Sequence, residues 1–145
     1  MKNFPGSSTT YAGASILLGF GLIYLFKNSF MPYHSEAVSQ KWADLQPATR
    51  FLVLALMRAT SGGFIATAVA IIFLQNKLQE NRLTWIPNLI LILGTISMAC
   101  SLYAIILVSA NTPGRPPVVA DIGGEVLLII GFVFNRRYLQ KQRSD

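Results

Sequence analysis

The stretch Pro47-ATRFLVLALMRATSGGFIATAVAIIFL-Gln75 is the longest apolar run of the sequence, and it decides the fold. A helix needs about 20 mostly apolar residues to cross the hydrocarbon core of a bilayer, and this run exceeds that length. Pro47 suits the first turn of a helix, and no further proline interrupts the run. Two arginines, Arg50 and Arg58, interrupt its first half. The stretch therefore predicts a transmembrane helix over residues 47–75.

The composition extends this prediction to the whole chain. Of 145 residues, 52% are hydrophobic and only 12% are charged, which is typical of integral membrane proteins. Three more apolar runs predict spans at about 12–31, 86–109 and 118–138. The sequence thus predicts an all-α transmembrane four-helix bundle that forms a single integral membrane domain over residues 1–145, with the lipid bilayer around it.

The link between the first two predicted spans has a pattern of its own. Pro32 ends the first span, because proline lacks a backbone donor and disfavours helix in the residue before it. Val38, Trp42 and Leu45 then recur at helical spacing among polar residues. The segment Tyr33–Gln46 therefore predicts a short helix on the membrane surface, with a solvated loop as the alternative.

Basic residues in the loops, in the tails and near the ends of the spans predict the orientation. Seven lie on the side of the two termini: Lys2, Lys77, Arg82, Arg136, Arg137, Lys141 and Arg143. Four lie on the other side: Lys27, Lys41, Arg50 and Arg115. The positive-inside rule then places both termini in the cytoplasm. The net charge of +6 is scattered over loops and tails, so we expect no nucleic-acid partner.

Charged residues inside the spans suggest a candidate site. Small residues follow Arg58 at intervals of four, namely Gly62, Ala66 and Ala70, so this face is expected to pack against protein. Arg58 would lie about 15 Å along its helix from the outer side. Asp121 and Glu125 share one face of the fourth span at a similar depth. Because isolated charges are costly in hydrocarbon, the sequence predicts contact between Arg58 and these carboxylates.

Further polar residues are expected at the same level: Tyr33, His34, Arg50, Tyr103 and Asn111. Together with the three charges they predict an outward-facing polar pocket. The alternative is a structural ion cluster that fixes the helix register, and the sequence leaves both open. One histidine beside Asp121 and Glu125 is more typical of an interfacial group than of a metal ligand, so no metal site is predicted. No phosphate-binding loop, catalytic triad or cofactor motif is present either.

The chain resembles a family of uncharacterised small bacterial four-span membrane proteins. The motifs that carry the resemblance are Met31-Pro32-Tyr33-His34, Ala55-Leu56-Met57-Arg58 and Thr112-Pro113-x-x-Pro116-Pro117. The likeness covers about residues 31–134, and Val118 stands where many relatives have tryptophan. In size and span number the chain is also similar to DoxX-like proteins. These resemblances imply a bacterial cytoplasmic (inner) membrane protein but no particular activity.

Two functional hypotheses follow. The first is a non-enzymatic accessory or scaffold subunit that binds other membrane subunits or a second copy of itself. The second is the binding or transport of a small molecule, a lipid or quinone, or an ion in the pocket around Arg58, Asp121 and Glu125. An enzyme is the least favoured interpretation, because no catalytic set can be assembled from the sequence.

Overall fold

The chain folds into five helices, and residues 4–144, which the computed structural model describes, contain no strand. The helices are α1 (Ser7–Phe26), α2 (Pro32–Val38), α3 (Pro47–Asn81), α4 (Ile86–Asn111) and α5 (Val118–Ser144). A 3₁₀ turn at Trp42–Asp44 lies between α2 and α3. The prediction of an all-α fold is confirmed.

Four helices, α1, α3, α4 and α5, are long and apolar enough to cross a membrane. The chain is therefore a multi-pass membrane protein. Both α1 and α4 pack against α3 and α5, so the ring order is α1, α3, α4, α5. The described chain ends and the α3–α4 turn lie at one end of the bundle, called the terminal end. The opposite end carries α2 and is called the α2 end.

The first span begins and ends earlier than the predicted 12–31. At its start, the Thr10 hydroxyl donates to the Gly6 carbonyl at 2.9 Å, and Ser7 and Thr10 are both buried. Their hydroxyls have partners inside the bundle, so these residues extend the helix. At its other end, Lys27 has extended backbone and closes the last turn after Phe26.

The second span extends beyond the predicted 47–75. The apolar run ends at Gln75, but α3 continues through mostly polar residues to Asn81. The ion pair of Lys77 with Glu80, at 2.7 Å, and the hydrogen bond from Tyr11 to Asn76 support this extension. At 1.5 Å per residue, α3 is about 52 Å long, well beyond the bilayer core of about 30 Å. The spans α4 and α5 begin where predicted and also extend further than expected.

The small-residue stripe predicted on α3 does not pack inside the bundle. Gly62 and Ala66 are exposed, and a methyl group added to Gly62 would have no neighbour within 4 Å. The buried residues of α3 are instead Met57, Ser61, Ala68, Ile71, Gln75 and Leu78. Residues four apart rotate about 40° per step around a helix of 3.6 residues per turn, whereas alternating steps of three and four stay on one face.

Glycines bring α1 and α5 into close contact. A methyl group on Gly131 would collide with the Thr10 hydroxyl, and one on Gly13 would lie 2.8 Å from a Leu128 methyl. Glycine at these positions lets the two backbones come together, as is common between transmembrane helices. The helix α1 is therefore a central packing element, a role that the sequence had suggested for α3.

The surface helix predicted over Tyr33–Gln46 forms only in part. Ser39 adopts a left-handed conformation, with φ of 52°, and ends α2. The Trp42 ring then packs edge-on against Phe30, with 5.1 Å between ring centroids. This contact draws the segment back onto the bundle, so a continuous amphipathic helix does not form.

Candidate functional site

A cleft of about 840 Å³ lies between α3 and α4 in the half of the bundle nearest α2. Residues of α1 contribute to its wall, and α2 together with Pro116 and Pro117 borders its α2 end. Leu56 on α3 and Ile96 on α4 line the cleft and are 59% and 60% exposed. Both lie within membrane-spanning helices. The cleft therefore opens sideways, toward the hydrocarbon of the bilayer.

The wall of the cleft is mostly apolar, but polar groups gather toward the α2 end. Phe20, Phe64, Leu93 and Met98 are among the apolar side chains deeper in the bundle. Tyr33 and His34 from α2, and Asp121 from the first turn of α5, are on the wall near the α2 end. This distribution suits a ligand with a polar end and an apolar body.

Tyr33 and His34 form the part of the wall that α2 supplies. The hydroxyls of Tyr33 and Tyr24 are hydrogen-bonded, and burial raises the pKa of the Tyr33 hydroxyl, so it keeps its proton. The Nδ1 atom of His34 accepts from the Met31 backbone N–H at 3.2 Å. Burial lowers the pKa of His34, so the neutral ring carries its proton on Nε2. The wall thus offers a neutral imidazole N–H.

Asp121 is the only charged residue on the wall of the cleft within residues 4–144. The residue is 8% exposed, and the Ser101 side chain on α4 interacts with its carboxyl group. Among pairs in which both side chains are described, Lys77–Glu80 is the only ion pair. Asp121 therefore lacks a cationic partner within this part of the chain.

The α4–α5 connection packs directly on α2 and closes this end of the cleft. A methyl group on Gly114 would lie 2.7 Å from the Tyr33 carbonyl oxygen, so only glycine fits there. The Arg115 backbone N–H donates to the Glu36 carboxylate at 3.3 Å. These contacts position Tyr33 and His34 relative to Pro116 and Pro117, and hence relative to the start of α5.

The predicted contact of Arg58 with Asp121 and Glu125 is wrong. Arg58 donates instead to the backbone carbonyls of Tyr24, at 2.5 Å, and Lys27, at 2.9 Å, at the end of α1. The physical reason is the ring order, because α3 and α5 occupy opposite corners of the bundle. The neighbour of α3 at this level is α1, whose last carbonyls lack helical partners.

Four other predicted site residues also lie off the cleft wall. Arg50 donates to the carbonyls of Ala43 and Leu45 and stabilises the loop before α3. Tyr103 is 65% exposed, and the exposed Asn111 side chain bonds to the Leu107 carbonyl in its own helix. Glu125 accepts from Thr95 at 2.6 Å, while its second carboxylate oxygen is buried without a partner among the described residues. Of the predicted set, Tyr33, His34 and Asp121 line the cleft together.

A buried polar network at the terminal end escaped prediction. Asn135 accepts from the Gly6 backbone N–H at 3.1 Å and donates to Gln75 at 3.0 Å. Gln75 in turn donates to Ser7 at 3.0 Å. Gln75 and Asn135 are 0% and 1% exposed, and the network joins α1, α3 and α5. An amide inside each of two apolar runs was the available signal in the sequence.

The polar wall residues do not form an evident metal centre. No group of three or more His, Cys, Asp and Glu side chains converges within the searched, described residues. Cys100 lies on the cleft wall as a free, exposed thiol.

These residues define a four-span α-helical membrane protein with a laterally open, mostly apolar cleft. No family model, curated protein or solved structure matches the chain.

Proposed function

We propose that this protein binds a lipid-soluble small molecule, without chemical conversion, in the cleft between α3 and α4. The observation that carries the proposal is the sideways-opening cavity of about 840 Å³. Its volume lies within the range of roughly 300–1,000 Å³ that is usual for small-molecule sites. A molecule dissolved in the bilayer can reach such a cleft without entering water.

The distribution of side chains supports an amphipathic ligand. Its apolar body would pack along Phe20, Phe64 and Met98, and its polar end would meet His34 and Asp121. This proposal develops the pocket hypothesis from the sequence, but it replaces Arg58 with groups from α2 and α5.

Two adjacent glycines provide a test of the proposal. Gly63 lines the cleft and Gly62 does not, while a methyl group on either would have no neighbour within 4 Å. We expect Gly63→Phe to fill part of the cleft and weaken binding about tenfold or more, whereas Gly62→Phe leaves it unchanged. The measurement is labelling of wild-type and variant protein, in phosphatidylcholine vesicles, by a long-chain alcohol that carries a diazirine.

Mass spectrometry would then map the labelled residues. Saturable labelling around Leu56 and Ile96 supports the proposal, with the outward-facing Phe73 as the comparison. Equal labelling of all exposed positions, or equal effects of the two glycine variants, would refute it.

A second candidate function is that of an accessory or scaffold subunit. Its support is the outer face of α3, where the exposed residues Gly62 and Ala66 leave room for a helix of another subunit or another copy. For this function we expect Gly62→Phe to be the disruptive variant and Gly63→Phe to be the control. Gly62→Phe would break a complex purified in mild detergent, and Gly63→Phe would preserve it.

The proposed location is the bacterial cytoplasmic membrane, with both termini in the cytoplasm. The support is the resemblance to small bacterial four-span proteins and the excess of Lys and Arg on the side of the termini. In this orientation the α2 end, with Asp121 and His34, lies near the outer face of the membrane.

A further inference from the structure

We infer that the cleft selects lipid-soluble organic cations, with the Asp121 carboxylate as counter-ion to the ligand's charged head. This inference rests on the proposed function and specifies the ligand class. It starts from the charge of the wall. Asp121 is the only charged side chain among the described residues that line the cavity, although the whole chain has a net charge of +6.

The nearest candidates for an internal counter-ion have other partners. Arg58 donates to the carbonyls that end α1, and Arg50 donates to the loop before α3. Neither lines the cleft, nor do Lys27 and Lys41. A buried carboxylate without a paired cation is costly in a protein interior. A bound cation would offset that cost, and a neutral or anionic ligand would not.

The remaining groups at this end of the cavity are compatible with a cationic head. His34 is half-buried, and this burial lowers the pKa of its ring, so the neutral imidazole does not supply the missing positive charge. The rings of Tyr24, Phe30 and Tyr33 also line the wall. Aromatic faces attract ammonium groups, and cages of aromatic rings bind quaternary ammonium ligands. The apolar walls beyond would hold the hydrocarbon part.

The test uses three diazirine probes with the same hydrocarbon chain: a quaternary ammonium, an alcohol and a carboxylic acid. The full chain is placed in vesicles of phosphatidylcholine, whose zwitterionic surface does not concentrate one charge type. Labelling of cleft residues is measured against probe concentration. For the wild-type protein we expect half-saturation by the ammonium probe at a concentration about tenfold lower than by the alcohol, with the acid weakest.

The decisive variant is Asp121→Asn, which removes the charge and keeps the size of the side chain. It should abolish the preference for the ammonium probe, so that its half-saturation no longer lies about tenfold below that of the alcohol. Glu125→Gln is the matched control, because Glu125 lies one turn further along α5, outside the cleft wall. This control should retain the preference for the ammonium probe.

The outcomes separate the two proposals. If none of the probes labels the cleft saturably, the proposed function fails and this inference with it. If the alcohol labels the cleft but the wild-type protein does not prefer the ammonium probe, only the inference is overturned. A preference that survives Asp121→Asn also overturns it. The wild-type comparison needs no variant, so the inference can be refuted even if Asp121→Asn does not fold.

Discussion

The side chain of Arg58, which belongs to α3, caps the carboxyl end of a neighbouring helix, α1. The last four carbonyls of an α-helix have no partner within the helix, and inside a membrane water is not available to replace them. The guanidinium of Arg58, on α3, reaches the carbonyls of Tyr24 and Lys27 at 2.5 and 2.9 Å. A cation at the carboxyl end of a helix also interacts favourably with the helix dipole.

Replacement of Arg58 should therefore destabilise the bundle without removing a charge from the cleft. We expect Arg58→Met to lower the free energy of unfolding by about 1–3 kcal/mol, because carbonyls of α1 lose charged donors. Arg58→Lys should recover part of the loss. The measurement is thermal unfolding of the purified protein in mild detergent.

Arg115→Met is the control for this change. The Arg115 side chain is exposed at the same end of the bundle and donates no hydrogen bond to the described residues. A loss of stability as large as that of Arg58→Met would show that removal of any cation at this end has the same effect. The proposed capping role would then be wrong.

At the scale of whole helices, apolar runs predicted the existence of all four spans but not all of their ends. The runs report hydropathy, whereas the ends depend on which polar groups find partners. Ser7 and Thr10 extend α1, and Gln75 lies inside α3, because each has hydrogen bonds within the bundle. Thr10 bonds within its own helix, but Ser7 and Gln75 bond to each other across 68 residues of sequence, and a local pattern cannot reveal such a partner.

The close approach of α1 and α5 gives a prediction at this scale. Gly131→Leu should lower the free energy of unfolding by about 1–3 kcal/mol or more, because the larger side chain would force the Thr10 turn of α1 away. Gly123→Leu, on the same helix, should have little effect, since nothing lies within 4 Å of a methyl group there. The measurement is again unfolding in detergent.

Comparable stability of the two glycine variants would contradict this packing. Loss of stability for Gly123→Leu alone would indicate that the outer face of α5, rather than its contact with α1, stabilises the folded protein.

For the molecule as a whole, the sequence identified three residues of the cleft wall, Tyr33, His34 and Asp121, but assigned Asp121 the wrong partner. Topology placed Arg58 and Asp121 in the same half of the membrane. It could not establish which helices are neighbours, because the order of four helices around a ring depends on packing details such as the glycines between α1 and α5. A cavity is likewise a property of the assembled helices.

The orientation gives a prediction at the same scale. Gln40 and Gln142 are exposed at the α2 end and the terminal end, respectively. In intact cells, Gln40→Cys should react with a membrane-impermeant maleimide, and Gln142→Cys should react only after permeabilisation. A Cys100→Ser background removes the native thiol. The opposite pattern would reverse the proposed orientation and place Asp121 toward the cytoplasm.

The network at the terminal end links the beginning of the chain to its last span. Gln75 accepts a hydrogen bond from Asn135 only when α5 is in place, and Asn135 accepts one from the Gly6 backbone N–H. During synthesis, the earlier spans leave the ribosome first. The oxygen of the Gln75 amide therefore lacks its final partner until synthesis has passed Asn135. An incomplete chain in the membrane therefore exposes an amide that is buried in the finished protein. This difference gives cellular quality control a chemical basis for distinguishing the incomplete chain from the folded one.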